Sequence, residues 1–176
     1  MALSIELTTV TGRWLRHIPA GADPAVRPAA AGDNRWQRGS IVDALYLCDQ
    51  TACVWAEWYR HLAELAIPPQ MALPRDLWTY TVTDLHVADL RSPEQLAAIG
   101  LPVPRPGRQS WQPFQAVGER LYADGYAGLL APSAARPQSV VLCVFLPDTA
   151  LPASVVGRPP PERVERAPAP PTGMRT

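Results

Sequence analysis

Twenty-one prolines in 176 residues set the strongest limit on what this chain can fold into, because proline lacks the N–H that helix interiors and central strands need. Regular structure is therefore expected in the proline-poor stretches. From Thr149 onward Pro152, Pro159, Pro160, Pro161, Pro168, Pro170 and Pro171 stand among Ala, Arg and Glu, with almost nothing large and apolar. Such a composition predicts a Pro-rich disordered tail over 149–176 and a single domain over 1–148. A short docking peptide for a partner is the other reading of the same tail. A second Ala/Pro/Gly-rich stretch, Pro19 to Gly32, interrupts the domain, and long structureless loops in compact domains are functional or disordered. This one precedes a charged cluster, which favours function.

The whole chain is 47% hydrophobic and 18% charged, and at this length roughly 70% of the unfolded surface can be buried. Sixteen acidic residues balance sixteen basic ones. Zero formal charge argues against direct nucleic-acid binding or adhesion to anionic lipid by electrostatics alone. Every basic residue is Arg, which reflects either codon bias or a use for guanidinium chemistry. Cys48, Cys53 and Cys143 have no zinc or disulfide spacing and read as buried free thiols, with no metal implied. Met1 to Val10 has no signal-peptide pattern, and no stretch approaches a membrane span. A cytoplasmic setting with no membrane contact is the expectation.

Hydrophobic periodicity alternates between the two regular types. Ala44–Cys48 reads as a buried strand, and Asp49 as the cap of a helix over about Gln50–Leu65 that Pro68 and Pro69 terminate. Leu77–Thr83 and Leu85–Leu90 read as two further strands. Ser92, Pro93 and Gln95 form a capping-box signature, with Gly100 as the stop. Phe114–Ala123 is an amphipathic helix, Ala127–Ala131 a short strand, and Ser139–Leu146 the strongest strand of all. The class is mixed α/β: one compact domain with a central sheet and no repeat.

No Gly-rich phosphate loop and no nucleophile elbow is present, and the three His are dispersed. Chemistry must lie in charge placed near apolar strands. Arg13 and Arg16 flank Trp14; Arg35 and Trp36 precede Gly39; Tyr46 sits within a strand. Glu57 lies among Val54, Trp55, Ala56 and Trp58, where a carboxylate needs a partner or a raised pKa; Arg60 and His61 are helical neighbours able to supply one. Arg beside Trp is commonly a surface stacking pair, Tyr46 a core aromatic, and Ser133 a turn residue.

Order and spacing change those readings. Successive gaps from Arg16 to Arg35, Tyr46 and Glu57 are 19, 11 and 11 residues. A Gly-Leu-Leu-x-Pro-Ser-Ala segment containing Ser133 then precedes a Val-Val-Leu strand. From about Gly12 to Pro147 this arrangement resembles the RES-domain family. The resemblance implies a fold similar to ADP-ribosyltransferase toxins and cleavage of NAD+ at the nicotinamide–ribose bond. Such an enzyme is an NAD+ glycohydrolase or an NAD+ phosphorylase and acts as the toxin of a toxin–antitoxin system. It further implies an Xre-like helix-turn-helix antitoxin as partner and leaves a homo-oligomer open. The family's first Arg falls on Arg16 (Arg13 competes, with a longer first gap), with His17 next to it. Its second Arg falls on Arg35, its Tyr on Tyr46, its Glu on Glu57 and its Ser on Ser133. Arg35, Glu57 and Ser133 are then the catalytic candidates. Arg16, His17, Arg35, Tyr46 and Ser133 are the candidates for binding NAD, which is substrate here. Guanidinium groups suit a pyrophosphate, and a carboxylate suits the oxocarbenium character of a ribose losing nicotinamide. An ADP-ribosyltransferase on the same scaffold and a non-catalytic nucleotide- or partner-binding domain are the competing readings.

Overall fold

The computed structural model describes residues 5–27, 30–148 and 150–175. Met1–Ser4, Pro28 and Ala29 of the N-terminal loop, Thr149 at the expected tail boundary and Thr176 lie outside them. Six strands, β1 (Leu7–Pro19), β2 (Asp43–Cys48), β3 (Arg75–Asp89), β4 (Gly128–Pro132), β5 (Val140–Leu146) and β6 (Val155–Val164), form a single sheet. Among the described residues three α-helices accompany them: α1 (Thr51–Glu64), α2 (Pro93–Ala98) and α3 (Trp111–Ala123). The strand order is β1-β2-β5-β4-β3-β6, and β1 also pairs with β3, so the first five strands close on themselves and β6 lies at the outer edge of β3. The mixed α/β class with a central sheet expected from the periodicity is the observed one.

Alternation along the strands distributes three cores. On β5, Leu142, Val144 and Leu146 point inward with Val10, Trp14, Leu45, Leu47, Tyr80 and Val82. Cys143 and Phe145 face the opposite way, against Phe114, Val117 and Leu121 of α3 and Leu96 of α2. A strand buried on both faces reads as a continuous apolar run, which is why β5 was the clearest in the sequence. The third core packs Val54, Trp55, Trp58 and Leu62 of α1 against Leu15, Leu77 and Val141. All three cysteines are free and buried, as expected.

Several expectations need correction. The helix expected over Gln50–Leu65 is α1, but its N-cap is Gln50 with no side-chain capping bond, so Asp49 does not cap it. The two strands expected around Asp84 are one bent strand, β3. Asp84 takes φ 48°, and Thr11 meets it, Oγ1 accepting from Asp84 N–H at 3.0 Å and donating to Asp84 Oδ1 at 3.2 Å. The pairing register of β1 shifts at the same place, between Val10 and Gly12. By contrast Ser92 makes the expected capping box with Gln95, and Gly100 takes φ 77° after the helix.

The largest departure is the Pro-rich segment. Instead of a disordered tail, Val155–Val164 is an edge strand paired antiparallel with β3. Edge strands tolerate proline because one row of their N–H groups has no partner to satisfy. Here Pro159, Pro160 and Pro161 fall where the register shifts between Arg158↔Thr79 and Glu162↔Leu77, so no ladder position demands their missing N–H groups. The domain therefore extends past residue 148.

Candidate active site

A cleft of about 350 Å3 opens where the end of β1, the end of β2, α1 and the loop after β4 meet. Its volume is at the lower end of the range for ligand clefts. Val54, Glu57, Arg60 and His61 reach it from one face of α1, as residues three, four and seven apart on a helix do. Arg16 and His17 come from β1, Arg35 from the loop before β2, Tyr46 from β2 and Arg75 from the start of β3. Four guanidinium groups thus surround one carboxylate, Glu57. Such a cavity selects anions.

Glu57 is held from three directions. Ser133 Oγ donates to its Oε1 at 2.6 Å, Ala135 N–H donates to the same oxygen at 3.3 Å, and Arg60 Nε donates to Oε2 at 2.8 Å. Arg60 also donates to Glu64 Oε1, which in turn accepts from Gly107 N–H at 3.2 Å. Burial would lower the Arg60 pKa, yet the two carboxylates raise it on balance. Burial would raise the Glu64 pKa, yet the charge and hydrogen bond of Arg60, with the Gly107 N–H, hold it below the usual carboxylate range. The intrahelical Glu57–Arg60 pair expected as the ordinary explanation is real, and it coexists with a long-range partner, Ser133.

Arg35 sits in a tight turn closed by paired backbone bonds between Asn34 and Gln37, at 3.0 and 3.3 Å. Helix α3 cradles this turn. Gln115 Nε2 donates to the carbonyls of Asn34 and Gln37, Phe114 packs edge-on to Trp36, and a Cβ on Gly118 would overlap the Trp36 carbonyl. Gly39 is required for the same kind of reason, since a side chain there would meet the carbonyl of Ala31. The Arg35 guanidinium donates to the Arg105 carbonyl and, at 3.2 Å, to Ser110 Oγ, and lies 5.2 Å from the centre of the Phe114 ring. Burial pulls its pKa down to about 10, with Arg60 adding to the effect. It remains charged at neutral pH. Tyr46 joins this construction from below: its hydroxyl accepts from Trp36 N–H at 3.3 Å, and burial pushes its pKa well up.

Arg16 is different. Among the described residues it has no carboxylate or carbonyl partner, and burial, reinforced by Arg27, takes its pKa down to about 10. Its neighbour His17 stacks on Trp55, with ring centres 5.6 Å apart and planes 13° from parallel. Arg75 donates to His17 Nδ1 from Nε at 3.1 Å. Burial and the charges of Arg75 and Arg16 force the imidazole pKa down to about 3, so the ring is neutral and can only accept at that nitrogen.

A family model described as the RES domain matches residues 10–165. The chain belongs to the RES domain family. Residues 166–176 lie past the RES match. No curated protein matches the chain. Among solved structures, a chain of the crystal structure of the M. tuberculosis MbcT–MbcA toxin–antitoxin complex has a similar fold. It superposes with a TM-score of 0.74 at 24% identity, covering 93% of this chain and 88% of that one. At such identity the likeness speaks for the fold.

The RES fold brings all six sequence candidates to one place, though not in one role. Arg16, His17, Arg35, Tyr46 and Glu57 line the cleft. Ser133, singled out for catalysis and for binding, is fully buried. It stands behind Glu57 as a hydrogen-bond donor, while its neighbours Pro132 and Ala134 reach the cleft wall. Arg13, the competing first Arg, is exposed and absent from the cleft lining, as alternation along β1 requires of a residue three positions from Arg16. Sequence reasoning missed Arg75 and Trp111, which line the cleft, and Gly118, which lets α3 approach the Trp36 carbonyl. Only Arg75 carried a signal, as a lone cation between a proline pair and an apolar strand.

Proposed function

We propose that this RES-domain protein cleaves the nicotinamide–ribose bond of NAD+ and serves as the toxin of a toxin–antitoxin pair. The observation that carries the reading is the Glu57 carboxylate, fixed by three donors at the wall of a cleft to which four arginines, Arg16, Arg35, Arg60 and Arg75, also come.

The chemistry follows from the electrostatics. NAD+ brings a dianionic pyrophosphate and a cationic pyridinium joined to ribose. Arg16, a half-buried cation with no acceptor among the described residues, gains one when the pyrophosphate enters, and a guanidinium can donate two parallel hydrogen bonds to it. A neutral His17 and the face of Tyr46 do not repel the pyridinium. As the C1′–N bond breaks, its electron pair leaves with neutral nicotinamide and positive charge develops on the ribose. Glu57 stabilises that charge without having to reorganise, since its hydrogen bonds are already in place. The incoming oxygen belongs to water or to inorganic phosphate. With water, a proton is lost, for which Glu57 is the nearby acceptor and ADP-ribose the product; with phosphate, the product is the 1″-phosphate of ADP-ribose.

Two further features support the toxin reading. The structural neighbour is a toxin–antitoxin complex, and an open cationic cleft is a surface that an acidic or carboxylate-bearing segment of an antitoxin could close. A helix-turn-helix antitoxin is the partner proposed.

The test is incubation of purified protein with NAD+ in buffers with and without phosphate, with nicotinamide and the ribosyl product both quantified. Stoichiometric nicotinamide release that disappears in Glu57→Gln supports the reading. Undiminished release by a folded Glu57→Gln variant overturns it. A mass increase of an added protein or nucleic acid by one ADP-ribose would reassign the chain as a transferase.

A further inference from the structure

The segment after β6 does not leave the molecule. It crosses α1, where Tyr59, two residues from Glu57, donates its hydroxyl to the Pro168 carbonyl, and Ala167 packs on the core beneath that helix. It then reaches the loop after β4, which carries Ser133. Thr172 offers its carbonyl to Arg136 Nε at 3.2 Å, and Arg175 N–H donates to the Ala135 carbonyl at 2.6 Å.

These contacts join a continuous line of hydrogen bonds, all running in one direction. Arg175 N–H donates to Ala135 C=O. The other end of that same peptide unit, Arg136 N–H, donates to Ser133 Oγ at 2.9 Å. Ser133 O–H donates to Glu57 Oε1 at 2.6 Å. Hydrogen bonds aligned donor to acceptor in this way polarise one another, and in a water-poor interior each becomes a better donor to the next. The receiving end here is the carboxylate on which the proposed reaction depends. A second tie comes from the Arg136 side chain, which bridges Thr172 and Ser139 Oγ and so holds both ends of the loop against the segment.

We infer that residues 166–175, rich in proline and outside the family match, are a positioning strap that fixes the Ser133 loop and, through it, the Glu57 carboxylate. Proline suits the task, since a backbone with few accessible conformations loses less entropy on docking. No residue of the strap lines the cleft, so it acts on the carboxylate's orientation and not on binding. The inference rests on the functional reading above for its kinetic consequence, though not for its structural one.

The experiment compares the full chain with a chain stopped after Glu165, and with the pair Arg175→Pro and Arg175→Ala. Proline removes the N–H that starts the line, whereas alanine keeps it. Removing the strap is expected to lower kcat for nicotinamide release about tenfold with KM within about twofold, and to speed amide exchange at Arg136. Arg175→Pro should lower kcat about threefold, and Arg175→Ala should restore the full-chain value. Adding a peptide spanning 166–176 should rescue the shortened chain. If the shortened chain does not fold, the Pro/Ala pair decides the matter. Equal kcat and equal Arg136 exchange in Arg175→Pro and Arg175→Ala overturn the inference. Should the full chain release no nicotinamide, the functional reading fails, and amide exchange at Arg136 alone then judges the strap.

Discussion

The two sides of the cleft are built on opposite plans. On the carboxylate side, Glu57 has a donor for each oxygen before any ligand arrives: Ser133, Ala135 and Arg60. On the cation side, Arg16 is half-buried in the cleft wall with no acceptor among the described residues, and Arg75 spends its donors on a neutral imidazole. Arg35 lies between these extremes, held by a carbonyl and a hydroxyl but by no carboxylate. A group that stabilises a transient charge is most effective when already oriented, because reorganising it would add to the barrier. A group that recognises an anion does best when its charge is still unspent. On the function proposed here, the carboxylate wall would serve chemistry and the cation wall binding.

Variants can break or sharpen this contrast. The largest effect is expected from Glu57→Gln, which keeps the shape and removes the charge. Nicotinamide release should fall by about 10²–10⁴, the usual span for losing an acid–base or charge-stabilising group, with KM for NAD+ little changed in steady-state assays. Arg16→Met comes next and should act the other way round. Loss of charge-assisted bonds of about 1.5–3 kcal/mol raises KM by roughly ten- to a hundredfold while kcat holds. The same variant should unfold at a higher temperature than the parent, because Arg16 is partly desolvated in the free protein with no acceptor among the described residues to offset the cost. A fall in both kcat and melting temperature for Arg16→Met would erase the contrast.

Smaller effects probe the supports of each wall. In Gly118→Ala the added methyl meets the Trp36 carbonyl. Denaturant melts should show a loss of about 1–3 kcal/mol, typical of overpacking, with Arg35-dependent turnover falling alongside. The smallest concerns pH. With a folded-state pKa of about 3 against an ordinary 6.5, His17 binds a proton in the unfolded chain but not in the folded one between those values. Its contribution to stability is complete above pH 6.5 and declines on acidification toward pH 3, by up to about 1.4 kcal/mol per unit. Between pH 7 and 5, where carboxylates scarcely titrate, thermal melts of His17→Gln should therefore depend on pH less steeply than those of the parent.

The legible parts of this protein were those with a local cause. The β5 run, the Ser92–Gln95 capping box and the free cysteines follow from side chains acting within a few residues of themselves. β1 escaped notice because its buried positions, Val10, Trp14, Leu15 and Ile18, are spaced irregularly around the shift at Gly12. β6 escaped because only Val155 of its residues is buried, so its pairing with β3 leaves almost no apolar signature. At the site, residue order named side chains that the fold brings together, but it gave no sign that Ser133 would stand behind Glu57. A hydroxyl that serves a carboxylate 76 positions away looks the same in a sequence as one that touches a ligand.

Sequence alone determined the class of fold, the family and the set of polar side chains that had to find one another, because hydrophobic period, capping and motif spacing are properties of neighbouring residues. Tertiary structure decided the division of labour. Which cation stays unpaired, which serine is hidden and whether a run of prolines is a loose end or a strap all depend on what lies opposite in space. That is settled only when distant strands meet, because the strength of a charge or a hydrogen bond is set by the water and partners around it.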